Sequence, residues 1–180
     1  MIRNCHIIFA TIGMMGGNAV NWQSLFKMQD KLDTYIADNH DLHNEDLFEE
    51  RFLALLVELG ELANETRCFK FWSKKGPSDD TVVLEEYVDN IHFLLSLGNH
   101  RGFNFETIDL SVEDIDRTVV FNTVFVKAIQ FYNEQTEVTY QDLFKQYLQL
   151  AHVLGFSETD IKEAYHKKNE VNYERQDEGY

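Results

Sequence analysis

Residues 57–65 read VELGELANE, and residues 84–93 read LEEYVDNIHF. Glu58 and Glu61 stand three apart in the first stretch, and Glu86 and Asp89 three apart in the second. Residues at i and i+3 are neighbours on a helix surface. Read as helices, the two stretches each present a pair of carboxylates, set among apolar residues such as Leu59, Leu62, Val88 and Ile91. A single acidic pair at this spacing is usually a solvated face. Two pairs on consecutive segments, both embedded in apolar sequence, would repel one another unless they hold divalent cations. Magnesium takes oxygen ligands and keeps waters and phosphate oxygens in its shell, and four carboxylates suit two such ions. The reading is two packed helices and a phosphate chemistry.

Helical spacing extends outward from this pair. Leu25, Met28, Leu32 and Ile36 predict a helix from about Trp22 to Ile36, followed by a turn in ADNHDLHN. Asn44 is the expected N-cap of a helix running to about Arg67, with Phe48, Phe52, Leu55, Leu56, Leu59 and Leu62 on its core face. Gly76 and Pro77 break the chain, Ser78 can cap the next helix, and that helix runs from about Asp80 to His100 with Gly102 beyond it. Ser111 with Asp114, Thr139 with Asp142, and Ser157 with Asp160 each have the outline of a capping box. The last three helices are therefore expected to end near Tyr132, Gly155 and Asn172. Five to six helices with short connections make an all-α, single-domain bundle.

The composition agrees with this class and excludes others. The chain has 180 residues, 44% hydrophobic and 13% aromatic, with a single proline. That is enough for one domain with a core. The formal net charge is −15, which disfavours nucleic acid and anionic membranes as partners. An anionic ligand needs metal ions or a few placed cations. Cys5 and Cys68 make no disulfide framework, so a reducing, cytoplasmic setting is expected. Residues 1–20 contain the apolar run CHIIFATIGMMGGNAV. It is too short for an ordinary membrane span and lacks a clear cleavage site. The expectation is an N-terminal extension outside the core, with a start near Met15 or Val20.

Two further stretches supply nucleotide chemistry. In RCFKFWSKK, residues 67–75, Phe69, Phe71 and Trp72 offer faces for a base, while Lys70, Lys74 and Lys75 can meet phosphate. Ordinary core aromatics beside exposed lysines would look the same. In YHKKNEVNYERQDEGY, residues 165–180, a continuing helix puts Lys168, Asn172 and Arg175 on one face, bordered by Asn169 and Gln176. A frayed polar tail is the alternative there. His40 and His43 have no further ligands at zinc spacing, and His92 is expected to contact a ligand rather than a metal.

Taken in order, ELGELANE, CFKFWSKKG, EEYVDNIHFLLSLG and KKNEVNYERQDEGY resemble the dimeric all-α dUTPases of the all-α NTP pyrophosphohydrolase superfamily. The resemblance covers about residues 22 to 180. The acidic motifs are shared across the superfamily; the Lys-Asn, Asn, Arg-Gln, Gly-Tyr series and the His-Phe after the second motif are specific to the dUTPase branch. The resemblance implies hydrolysis of dUTP, and of dUDP, to dUMP by a magnesium-dependent homodimer, with attack at the β-phosphorus. It implies that Glu58, Glu61, Glu86 and Asp89 bind magnesium and that Glu58 also activates the attacking water. Gln29 matches a glutamine of the uracil site. Phe71, Trp72, His92 and Phe93 match positions around the base and sugar. Lys70, Lys74, Lys168, Asn169, Asn172, Arg175 and Tyr180 match positions near the phosphates. Asp33 is a departure, because some members carry Asn there. Two other readings stand beside this one: a relative acting on dCTP or several NTPs, and a catalytically silent helical interaction protein.

Overall fold

The computed structural model describes residues 10–11, 20–43, 45–106, 111–112 and 115–179. Six helices account for most of them: α1 (Trp22–His40), α2 (Phe48–Thr66), α3 (Asp80–Arg101), α4 (Arg117–Glu134), α5 (Glu137–Leu154) and α6 (Glu158–Asp177). Two-residue strands β1 (Ala10–Thr11) and β2 (Ser111–Val112) pair antiparallel. The all-α expectation holds, with this short pairing as its one addition among the described residues.

α3 is the axis of the molecule. It packs on α2, α1, α6 and α5, while α4 and α5 form a hairpin that also meets α2. Its low amphipathicity has a structural reason, since Val83, Tyr87, Val88, Ile91, Leu94, Leu95 and Leu97 are all buried around its circumference. Tyr87 and Tyr147 stack at 4.6 Å between ring centroids, and each hydroxyl donates to the other's backbone carbonyl, at 3.2 and 2.7 Å. This reciprocal pair ties α3 to α5 and leaves neither buried hydroxyl unsatisfied. At Gly98 the helix comes so close to its neighbours that an added Cβ would meet the Tyr140 hydroxyl, and would lie 2.8 Å from Phe26.

Helix ends depart from the sequence reading in instructive ways. α1 continues to His40, because the polar residues after Ile36 face solvent or α6: His40 Nε2 lies 2.9 Å from Gln176 Oε1, and Tyr35 donates to Asp177. α2 starts at Phe48, with Leu47 at the cap and Asp46 Oδ1 accepting from Phe48 N at 3.2 Å. Asn44, the expected cap, lies outside the described residues. Ser78 does not cap α3; its hydroxyl donates to the Glu65 carboxylate, and Asp79 occupies the cap position. α4 starts at Arg117 rather than just after Ser111, which is in β2; Asp116 accepts from Thr118 N and Val119 N. Asp114 lies outside the described residues. α5 is capped by Thr136 with Thr139, three residues ahead of the Thr139–Asp142 reading. Ser157 with Asp160 does cap α6, which runs past Asn172 to Asp177.

Val20, at the boundary of the expected extension, is buried and its N–H donates to Glu158 Oε2 at 2.8 Å. The described helices include none long and apolar enough to cross a membrane.

Candidate active site

α1, α2, α3 and α6 enclose a cavity of about 490 Å³. α2 and α3 are consecutive antiparallel helices, so α2 residues met in descending order face α3 residues met in ascending order. Glu58 and Asp89 line one end of the cavity, and Arg51 and Ser96 line the other.

At the first end, one oxygen each from Glu58, Glu86 and Asp89 lies within 4.8 Å of the others. Three of the four predicted metal carboxylates therefore converge. Glu61 is exposed and outside this trio, though its charge raises the pKa of both Glu58 and Glu86. Burial, then the charges of Asp89, Glu61 and Glu86, pushes Glu58 up to about 7. Burial and then Asp89 and Glu61 raise Glu86. Asp89 is also raised, by burial, despite the lysine beside it. That lysine is Lys168 of α6, whose Nζ donates to Asp89 Oδ2 at 2.7 Å and to Glu85 Oε1 at 2.9 Å. Burial alone would lower Lys168, but these two hydrogen bonds hold its pKa above the ordinary value. Hard oxygen donors with raised pKa values, offset only in part by Lys168 and the charge of Arg175, fit a divalent metal.

The other end is a continuous hydrogen-bond network. His92 Nδ1 lies 2.7 Å from Gln29 Oε1, and Tyr165 OH donates to the same oxygen at 3.0 Å. Gln29 Nε2 donates to Asp33 Oδ1 at 2.8 Å, and Ser96 Oγ donates to Asp33 Oδ2 at 2.7 Å. Because Gln29 Oε1 is an acceptor, His92 carries its proton on Nδ1. Burial lowers the His92 pKa to about 3, so Nε2 is a bare acceptor, and it has no partner among the described residues. The His92 and Tyr165 rings stack at 4.2 Å. Asp33 is raised by burial, against the hydrogen bonds from Ser96 and Gln29 and the charge of Arg51.

The structure thus brings Gln29, Glu58, Asp89, His92, Phe93, Lys168, Asn172 and Arg175 to one cavity. Asn169, next in sequence to Lys168, is buried, and its amide nitrogen has no partner among the described residues. The 67–75 loop is placed apart. Phe71 is 92% and Trp72 66% exposed, packed edge to face on each other, and Lys70 donates to Asn64. Lys74 is exposed, and none of the four lines the cavity. Tyr180 lies outside the described residues.

Sequence reading did not single out Arg51, Glu85 or Tyr165. Arg51 and Ala54 precede Glu58 by seven and four residues, a helical spacing that marks one face once Glu58 is known to point inward. Tyr165 precedes Lys168 by three, on the same side of α6. Glu85 has no such signal; only the fold shows that it shares a lysine with Asp89.

A family model described as dUTPase matches residues 21–180. No curated protein sequence matches the chain. The matched span contains the whole cavity, both acidic motifs and α6, and the six-helix architecture agrees with it. The chain belongs to the all-α dUTPase family, a family of dUTP diphosphatases.

Proposed function

We propose that the chain hydrolyses dUTP, and dUDP, to dUMP in a magnesium-dependent reaction that releases pyrophosphate or phosphate. One observation carries this reading: a trio of carboxylates closes one end of a cavity whose other end is a network of buried, neutral-to-acidic hydrogen-bonding groups. The first end suits a cation and phosphate, and the second suits a base.

Glu58, Glu61, Glu86 and Asp89 would hold the metal. When bound, magnesium neutralises phosphate charge and lowers the pKa of a coordinated water. The chain's own groups do the rest. Glu58 would orient the attacking water and take its proton. Lys168, Asn169, Asn172, Arg175 and Tyr180 are assigned to the phosphates, with Lys70 and Lys74 from the loop. Gln29, His92 and Phe93 are assigned to the base and sugar, and Phe71 and Trp72 to a covering face. Catalysis then rests on positioning and electrostatic stabilisation of a phosphoryl transition state.

A homodimer in the cytoplasm is the proposed working state. Leu53 and Val57 on α2 and Val119, Val126 and Ile129 on α4 leave aliphatic surface exposed, which a second copy would bury.

The test is release of pyrophosphate or phosphate from dUTP, dUDP, dCTP, dTTP and UTP, with and without magnesium. Turnover confined to dUTP and dUDP, and lost on chelation, is expected. Equal turnover of dCTP would replace the uracil reading with that of a broader pyrophosphohydrolase.

A further inference from the structure

Along the cavity, side chains from α1, α2 and α3 fall into ordered pairs. Glu58 with Asp89 comes first, then Gln29 with His92, then Asp33 with Ser96. One turn further on, Arg51 Nη1 lies 2.7 Å from His100 Nδ1. Residues 89, 92, 96 and 100 form a continuous stripe on α3, and 58, 54 and 51 run antiparallel to it on α2. Seven residues of helix place the Arg51 and Glu58 backbones about 10 Å apart. Arg51 therefore stands at the end of the cavity opposite the carboxylate trio.

Its guanidinium is held in an unusual way. No carboxylate lies within ion-pair distance of Arg51 among the described residues. The brace is a neutral ring nitrogen. Arginine can only donate, so His100 Nδ1 is the acceptor and its proton sits on Nε2. His100 Nε2 then donates to Asp46 Oδ1 at 2.7 Å. The His100 ring also stacks on Phe48, with centroids 6.3 Å apart. Asp46, His100 and Arg51 form a chain that fixes one nitrogen of the guanidinium and leaves its other N–H groups for a ligand.

Read in order, this wall offers a donor, an acceptor and a donor. Gln29 Nε2 has one N–H beyond the one given to Asp33. Asp33 has carboxylate lone pairs beyond those used by Gln29 and Ser96. Arg51 supplies further N–H groups. The edge of a uracil ring presents the complement: carbonyl oxygen, N–H, carbonyl oxygen. Cytosine presents an acceptor at the ring nitrogen and an amine beyond it, so it would set acceptor against Asp33 and donor against Arg51.

We propose that Arg51, braced by His100 and Asp46, binds the distal carbonyl of the base and is a specificity-determining residue of this enzyme. The inference rests on the dUTP reading above and adds a residue to it. His100 acts through Arg51 and is a positioning residue.

The test uses the full-length enzyme, with wild type assayed first on dUTP and dCTP. Arg51→Met and Arg51→Lys are then compared for KM, kcat and melting temperature. Binding of deoxyuridine and inhibition by pyrophosphate are measured separately, to divide base from phosphate. Losing one charged hydrogen bond predicts a rise in KM for dUTP of roughly 10- to 100-fold. The preference for dUTP over dCTP should fall by a similar factor, and kcat should change much less. Deoxyuridine binding should weaken in step, while pyrophosphate inhibition stays within about twofold of wild type. His100→Phe keeps a ring on Phe48 and removes both nitrogens; it should raise KM by a smaller factor, about 3- to 10-fold. Unchanged deoxyuridine binding in a folded Arg51 variant, or weakened pyrophosphate inhibition instead, would overturn the assignment and leave the dUTP reading standing. A wild-type enzyme inactive on dUTP would overturn both.

Discussion

At one end of the cavity, Glu58, Glu86 and Asp89 crowd their charges together, with Lys168 bonded to Asp89 and the charge of Arg175 acting on it. At the other, Gln29, Asp33, His92, Ser96 and Tyr165 are joined by hydrogen bonds that fix their positions and leave His92 Nε2 facing no partner among the described residues. Both ends share α3 and α6, with α2 completing the first and α1 the second, yet their physics is opposite. The carboxylate end carries repulsion that Lys168 offsets only in part, which burial makes worse and a metal cation relieves. The network end is held by bonds among its own members, and the larger cost would appear on losing one of them. Removing a side chain should therefore harm chemistry at one end and fold or affinity at the other.

The largest break in that contrast is expected from Asp89→Asn and Glu61→Gln. Each should cut turnover of dUTP by roughly 10³-fold or more at saturating magnesium, the scale of losing a key electrostatic stabiliser. The circular dichroism of either variant should match wild type. Full activity would remove both residues from the metal site. Next comes Gln29→Ala at the network end. It strands the His92 and Tyr165 donors and one oxygen of Asp33, so it should destabilise the protein by about 2–3 kcal/mol and raise KM well above its effect on kcat. A variant as stable as wild type would mean the network is bridged by water.

The third test concerns pH. Glu58 titrates near 7 when folded without metal, against 4.5 for the ordinary side chain. A carboxyl with a raised folded pKa supports the fold fully below about 4.5 and loses that support as pH rises through about 7. Glu58→Gln should therefore melt higher than wild type at pH 8 in chelator, and the gain should fade towards pH 5. Partial exposure of Glu58 discounts the effect to about 1–2 kcal/mol, or roughly 3–6 °C in Tm. A gain of equal size at both pH values would assign it to packing instead. The smallest effect belongs to Trp72→Ala. Trp72 is exposed, so the melting temperature should hold within about 0.5 kcal/mol equivalent. KM for dUTP should rise about fivefold if the ring covers the base, the low end of what base–aromatic stacking contributes; no rise would detach the loop from the site.

The legible parts of this molecule were those with local causes. Apolar spacing marked the core face of α2, and Ser157 with Asp160 marked the start of α6, because each signal acts within one or two turns. The acidic pairs were legible for the same reason, and so was the polar face of α6. Capping failed as a guide where tertiary contacts claimed the residue first: Ser78 is spent on Glu65, and Ser111 lies in a strand. Thr136 was passed over because its partner three residues on is another threonine rather than an acid. The network end was only half visible. Gln29 and His92 came through resemblance, whereas Tyr165 and Arg51 become site residues only when α6 and α2 are laid against α3. Nothing in the order of residues says that Lys168 bridges Glu85 and Asp89 across some eighty positions.

Gly98 gives this arrangement a genetic signature. It lies two residues beyond Ser96 and two before His100, where α3 presses on Phe26 of α1 and Tyr140 of α5. One methyl group there would wedge α1 away from α3, and with it the register that pairs Gln29 with His92 and Asp33 with Ser96. A lineage carrying Gly98→Ala would inherit a less stable protein in which the alignment of Gln29, Asp33, His92 and Ser96 is disturbed together.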